Sequence, residues 1–154
     1  AMTAYKTGER QEVGKIAFEF YSGTLWMVLP SGRRLAYLKP KQQPNRFGRM
    51  SLTYEGVGQN HKWSRQETYS GRLVENATQA IARDCLALAL KRLVQHGYKP
   101  LMHIHDEVVL EVPKDQLHDD EIDRINAIMC DPIPWAPGLI LNADGFISPY
   151  YKKD

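Results

Sequence analysis

Aspartate is missing from the first 83 residues of this 154-residue chain, and no acidic residue of either kind lies between Phe20 and Tyr54. The first half therefore has no aspartate to offer to a carboxylate-based site. Cysteine is nearly as scarce. Cys85 and Cys130 show no metal-ligand pairing, and Cys85 falls inside an apolar helical pattern, so a reduced, cytoplasmic interior is expected. No uninterrupted apolar run approaches the ~20 residues that span a bilayer, and no signal-peptide pattern opens the chain. No membrane partner is expected. Internal repeats and low-complexity tracts are absent too. The length suits one domain with a real core. Ala1-Met2 reads as a tag remnant followed by an initiator or cloning-site Met, so the chain either starts here natively or is an excised piece of a longer protein.

Positive charge is concentrated early. Residues 1–100 hold 16 Lys/Arg against 7 Asp/Glu, and residues 101–154 hold 4 against 11, although the net charge is only +2. The acid-free stretch contains Arg33, Arg34, Lys39, Lys41, Arg46 and Arg49. Such a segment suits a polyanion; the alternative is a solvated basic face neutralised by the acidic C-terminal part.

Periodicity supplies the coarse fold. Residues 16–29 read as two β runs around Ser22-Gly23, Pro30-Ser31-Gly32 as a turn, and Arg34–Leu38 as a third run. The stretch 39–48, with two prolines and no apolar periodicity, reads as a loop, and 50–57 as a returning strand. These make an N-terminal antiparallel β meander, occupying 1–67 with its loop. Residues 72–96 predict a long helix stopped by Gly97. Val74, Ala77, Ile81, Cys85 and Leu88 are expected on its apolar side. Arg72, Asn76, Gln79 and Arg83 fall on the other within roughly 60° of arc, a stripe of hydrogen-bond donors suited to a groove or else an ordinary wet face. A hairpin (101–105 and 108–112), a helix over 113–129 and a last strand over 138–145 complete the part 68–154. The fold class expected is α/β in the α+β sense, with antiparallel pairing.

The hairpin carries the chemistry. In HIHDEVVLEV (103–112), a tight turn puts Asp106 and Glu107 at the two central positions. Glu is a poor former of two-residue turns, which favour Asn-Gly or Asp-Gly. Adjacent carboxylates also repel unless a cation lies near. Magnesium prefers this arrangement, taking one or two protein oxygens and completing its shell with phosphate and water. Two alternatives stay open: a solvated acidic turn, and a hydrolase metal site built from His103, His105 and Asp106.

Three segments, in order, carry a resemblance. LPSGRRLAY (29–37), TYSGRLVENATQAIARD (68–84) and HIHDEVVLEVP (103–113) resemble successive motifs in the C-terminal palm region of A-family DNA polymerases, in the phage-type branch. The resemblance implies a palm-type antiparallel sheet with packed helices, one C-terminal fragment of a polymerase domain spanning 1–154. It implies that Asp106 binds the catalytic magnesium ions of a two-metal site, that Glu107 is its acidic neighbour, and that His105 approaches the primer terminus. Asn76 and Gln79 would contact the duplex through minor-groove acceptors common to all base pairs, with Arg72 beside them. Arg33, Arg34, Arg46, Arg49, Arg72 and Arg83 are the candidate phosphate contacts. The chain departs from the family pattern at Ser70, where relatives carry glycine.

The larger departure is an omission. The family reaction joins a primer 3′-hydroxyl to a nucleoside triphosphate and needs a second aspartate, from motif A, and the nucleotide-gripping helix of motif B. Neither is present; Lys62 to Tyr69 imitates only the end of motif B. The expected partners are therefore primer–template DNA, nucleoside triphosphates and a separate N-terminal polymerase portion carrying motifs A and B. The chain alone is expected to be inactive. The alternatives are a non-catalytic nucleic-acid-binding prophage remnant and, less favoured, the metal-dependent hydrolase.

Overall fold

Strands β2 (Ile16–Tyr21) and β3 (Thr24–Val28) join through Ser22 and Gly23, whose φ angles are +50° and +70°. Two successive positive φ values are what a type I′ loop requires, and its twist matches that of the strands it joins. This hairpin is part of a six-stranded antiparallel meander with strand order equal to chain order. Its other members are β1 (Gln11–Val13), β4 (Arg34–Pro44), β5 (Met50–Val57) and β6 (Trp63–Thr68). The computed structural model describes residues 1–45, 47–58 and 60–152. They form two compact units, Ala1–Ile81 and Ala82–Asp154.

In the first unit, period-2 alternation selects one sheet face for burial. Phe18, Leu25, Met27, Tyr37 and Leu52 point to that face. It is covered by α1 (Met2–Thr7), through Ala4, and by the start of α2 (Ser70–Gln95), through Ala77 and Ala80 with Leu73 and Ile81 beside them. Leu25 is fully buried, and truncating such a side chain to alanine costs about 2–5 kcal/mol.

In the second unit, the rest of α2 buries Leu86, Ala89 and Leu93, spaced i, i+3, i+7 along one helical face. The helix ends in a Schellman motif: Gly97 has φ +90°, its N–H donates to the Val94 carbonyl, and the Tyr98 N–H donates to the Leu93 carbonyl. Strands β7 (Pro100–Ile104) and β8 (Glu107–Leu110) form a separate two-stranded sheet. A single 3-10 turn (Lys114–Gln116) and α3 (Glu121–Cys130) follow. Arg92 donates to the Asp131 and Pro132 carbonyls at 2.6 and 2.7 Å, clasping the end of α3 to α2.

The architecture is thus mixed α/β with antiparallel pairing in both sheets and an N-terminal β meander. Its departures from the sequence reading have physical causes. Residues 39–44, expected as loop, extend β4, because β5 offers a ladder on that side alone. Pro40 sits in the register shift between Leu38 and Lys41, and Pro44 at the strand end, where a missing N–H is tolerated. The stretch resembling the end of a motif B helix is strand β6, zipped to β5 from Leu52↔Thr68 to Val57↔Trp63. The helix expected from residue 113 begins only at Glu121, after the 3-10 turn. Residues 138–145 form no strand, finding no ladder partner, and Ile140 is 92% exposed. The apolar stripe along α2 also shifts. Val74 is 65% exposed, while Ala77 and Ala80 are buried and Leu73 and Ile81 half-buried against the first unit's core. The two compact units divide inside α2, between Ile81 and Ala82.

Candidate metal and nucleic-acid site

The β7–β8 register fixes the tip. Ile104 pairs with Glu107, so the two-residue loop is His105-Asp106, and Glu107 is the first residue of β8. This corrects the expectation that Asp106 and Glu107 share the turn. His105 has φ +53°, while Asp106 has an ordinary negative φ. Positive φ at the first loop position alone is the II′ pattern, where glycine is the favoured residue. A histidine there carries backbone strain on the order of 1–2 kcal/mol. The tip thus presents an exposed His105 and Asp106 above a half-buried Glu107.

Among the described residues, no three of His, Cys, Asp or Glu converge in an arrangement that could hold a metal ion. His103, His105 and Asp106 therefore do not assemble as hydrolase ligands. Two adjacent carboxylates remain, a donor set that fits magnesium when phosphate and water supply the other oxygens.

Along α2, the donor stripe is partly engaged within the protein. Arg72 Nη1 donates to the Glu67 carbonyl at 3.2 Å, and its guanidinium lies 6.0 Å from the Tyr69 ring centroid. Asn76 Nδ2 donates to the Tyr37 hydroxyl at 3.0 Å. That hydroxyl is buried, and desolvation raises its pKa, with the Asn76 hydrogen bond acting in the opposite sense. Gln79 is exposed, its amide 3.4 Å from Glu75 Oε1 on the same helix. The exposed Arg83 places Nη1 3.4 Å from Nδ1 and Nη2 3.2 Å from Nε2 of His103 on β7.

The remaining arginines differ in setting. Arg33 Nη2 donates to the Ala80 carbonyl at 2.8 Å. Arg34 donates to the Tyr21 hydroxyl at 3.0 Å and faces Glu19 at 3.6 Å. Arg49 is exposed and lines a cavity of about 540 Å³ in the first unit, walled by Phe18, Leu52, Thr68 and Leu73. Arg46 lies outside the described residues. Sequence reasoning missed the Asn76–Tyr37 and Arg83–His103 pairs. Both join residues far apart in the chain, and no local signal encodes them.

The chain is similar to a phage DNA polymerase. It is 56% identical, over 140 residues that make up 90% of its length, to a protein of Bacillus phage SP02 named DNA polymerase. It spans 21% of that protein's length. No family model and no solved structure matches the chain.

Proposed function

We propose that the chain is part of a DNA-directed DNA polymerase of the A-family, phage-type branch, and that its second unit supplies the motif C portion of the palm. The observation that carries this reading is the 56% identity, over 90% of the chain, to the phage DNA polymerase. Supporting it, a strained histidine and Asp106 occupy a two-residue turn that glycine would stabilise better, and Glu107 follows at once as the first residue of β8.

On this reading Asp106 and Glu107 would be the residues that hold magnesium, and His105 would approach the primer terminus. When bound, the metal ions would neutralise charge on the phosphates and lower the cost of activating the primer hydroxyl. Asp106, exposed at the loop, is free to reach a ligand; Glu107, held in the ladder by Ile104, is the more fixed of the two. Gln79 and Asn76 position the duplex near the primer end. Cytoplasmic primer–template DNA and nucleoside triphosphates are the substrates, and a portion carrying motifs A and B is the partner.

The test joins this chain, as a separate polypeptide or by fusion, to the remaining portion of the phage SP02 protein and measures magnesium-dependent primer extension. Extension that requires both pieces supports the reading. DNA binding without extension in any combination would instead support the non-catalytic remnant.

A further inference from the structure

Arg83 belongs by sequence to the donor stripe of α2, yet its guanidinium rests against an imidazole rather than standing clear in solvent. A neutral imidazole offers one acceptor nitrogen, so one of the two close approaches is an N–H···N hydrogen bond and the other is packing. His103 pairs with Val108 in the ladder, one pair before Ile104↔Glu107 and the tip. Arg83 and His103 thus link α2 to β7, the strand that leads into the His105-Asp106 loop and pairs with Glu107 of β8.

That link matters because β7 itself buries little apolar surface, whereas the residues of β8 are half-buried. A two-stranded sheet is marginal by itself in water, and on β7 Leu101 is 61% and Met102 40% exposed, so apolar packing contributes little there. The register slips once as well, between Pro100 and Met102, which loosens the base of the strand. A carboxylate displaced by 1 Å forfeits much of its value to a reaction that depends on placement.

We propose that Arg83 is a positioning residue: through His103 it fixes β7, and with it the Asp106–Glu107 tip, and it is not a DNA-phosphate contact. The proposal rests on the polymerase reading for its functional meaning, but the contact is testable without it. Hydrogen exchange of the purified 154-residue chain reads the ribbon directly.

Arg83→Ala is expected to lower protection of the β7–β8 ladder amides about tenfold, the effect of losing one net hydrogen bond. His103→Leu should do the same, and the double variant should lose no more than either single one. His103→Gln, which keeps an acceptor, should restore most of the protection, a rescue that a general packing role would not give. The salt dependence of binding to a primer–template duplex should be unchanged in Arg83→Ala. Unaltered ladder protection in both Arg83→Ala and His103→Leu would overturn the proposal. So would a log–log salt slope reduced by about 0.9, the mark of one lost phosphate contact. In the assembled polymerase, Arg83→Ala should lower incorporation at saturating nucleotide while leaving duplex affinity intact. An assembly that is inactive with the unaltered chain would count against the polymerase reading and leave the exchange result standing.

Discussion

The Tyr98 hydroxyl donates a 2.6 Å hydrogen bond to Oε1 of Glu121, a residue only 4% exposed at the start of α3. Arg124 approaches the other carboxylate oxygen at 3.4 Å from a largely exposed position. The pair joins the residue just after the α2 stop to the first turn of α3. Tyr98→Phe should therefore destabilise the second unit by about 1–3 kcal/mol, because it leaves a buried carboxylate oxygen without its donor. Glu121→Gln keeps an acceptor for Tyr98 and should cost less. Denaturant unfolding of the two variants checks the order; equal or reversed costs would mean that the hydroxyl contributes nothing.

Stability should have a limb at each end of the pH scale. Burial raises the pKa of Tyr37, and burial followed by the Glu121 hydrogen bond raises that of Tyr98. The folded chain then holds these protons more tightly than the unfolded one. Their contribution is complete below the unfolded tyrosine pKa of about 10 and is lost as pH rises from there through the raised folded pKa. Glu55 is shifted the other way, first by its hydrogen bond with Lys39, so its contribution is present above the ordinary carboxylate range and lost as pH falls. Unfolding midpoints measured from pH 3 to 11 should show a plateau between two declines. Tyr37→Phe should flatten the alkaline one.

His105→Gly should relieve the left-handed backbone at the loop. The relief, on the order of 1–2 kcal/mol, is partly offset by glycine's larger unfolded-state entropy, about 0.5–1 kcal/mol. The net expectation is an unchanged or slightly more stable chain, with slower nucleotide incorporation in the assembled polymerase. A variant that is more stable and equally active would remove the functional reading of the strain.

Asp106→Asn should barely affect folding, since the side chain is exposed. In the assembled polymerase it should reduce single-turnover incorporation by ~10³-fold or more, while duplex affinity holds. Glu107→Gln should cost less. Gln79→Ala should lower incorporation and duplex affinity together if, as proposed, the side chain acts on the primer end. Near-normal incorporation by Asp106→Asn would leave the acidic pair with no metal role.

DNA binding by the chain alone should be weak, indifferent to sequence and steeply salt-dependent. Arg49→Ala should lower the log–log slope by about 0.9. Arg33→Ala should act chiefly on stability, since its guanidinium already bonds the Ala80 carbonyl. A flat salt dependence for the unaltered chain would favour a solvated basic face with no polyanion partner.

What the sequence determined by itself is what neighbouring residues can enforce. Ser22-Gly23 dictated a hairpin, the alternation in 50–57 gave β5 its observed ends, and Gly97 stopped α2. Each is a local matter of allowed φ values or of which face a side chain takes. Tertiary pairing decided the rest. The polar run 63–68 shows no apolar alternation and became β6 because β5 offered it a free edge. Residues 39–44 became strand in the same way, in spite of two prolines. At the candidate site, HDE could be read as a tip, but which two residues occupy the loop depended on the Ile104↔Glu107 pairing, a choice of register. Arg83 showed the same limit. Helical spacing placed it on a stripe, and only the position of β7 decided that its guanidinium meets His103, because a contact between residues 20 apart is set by packing and not by local sequence.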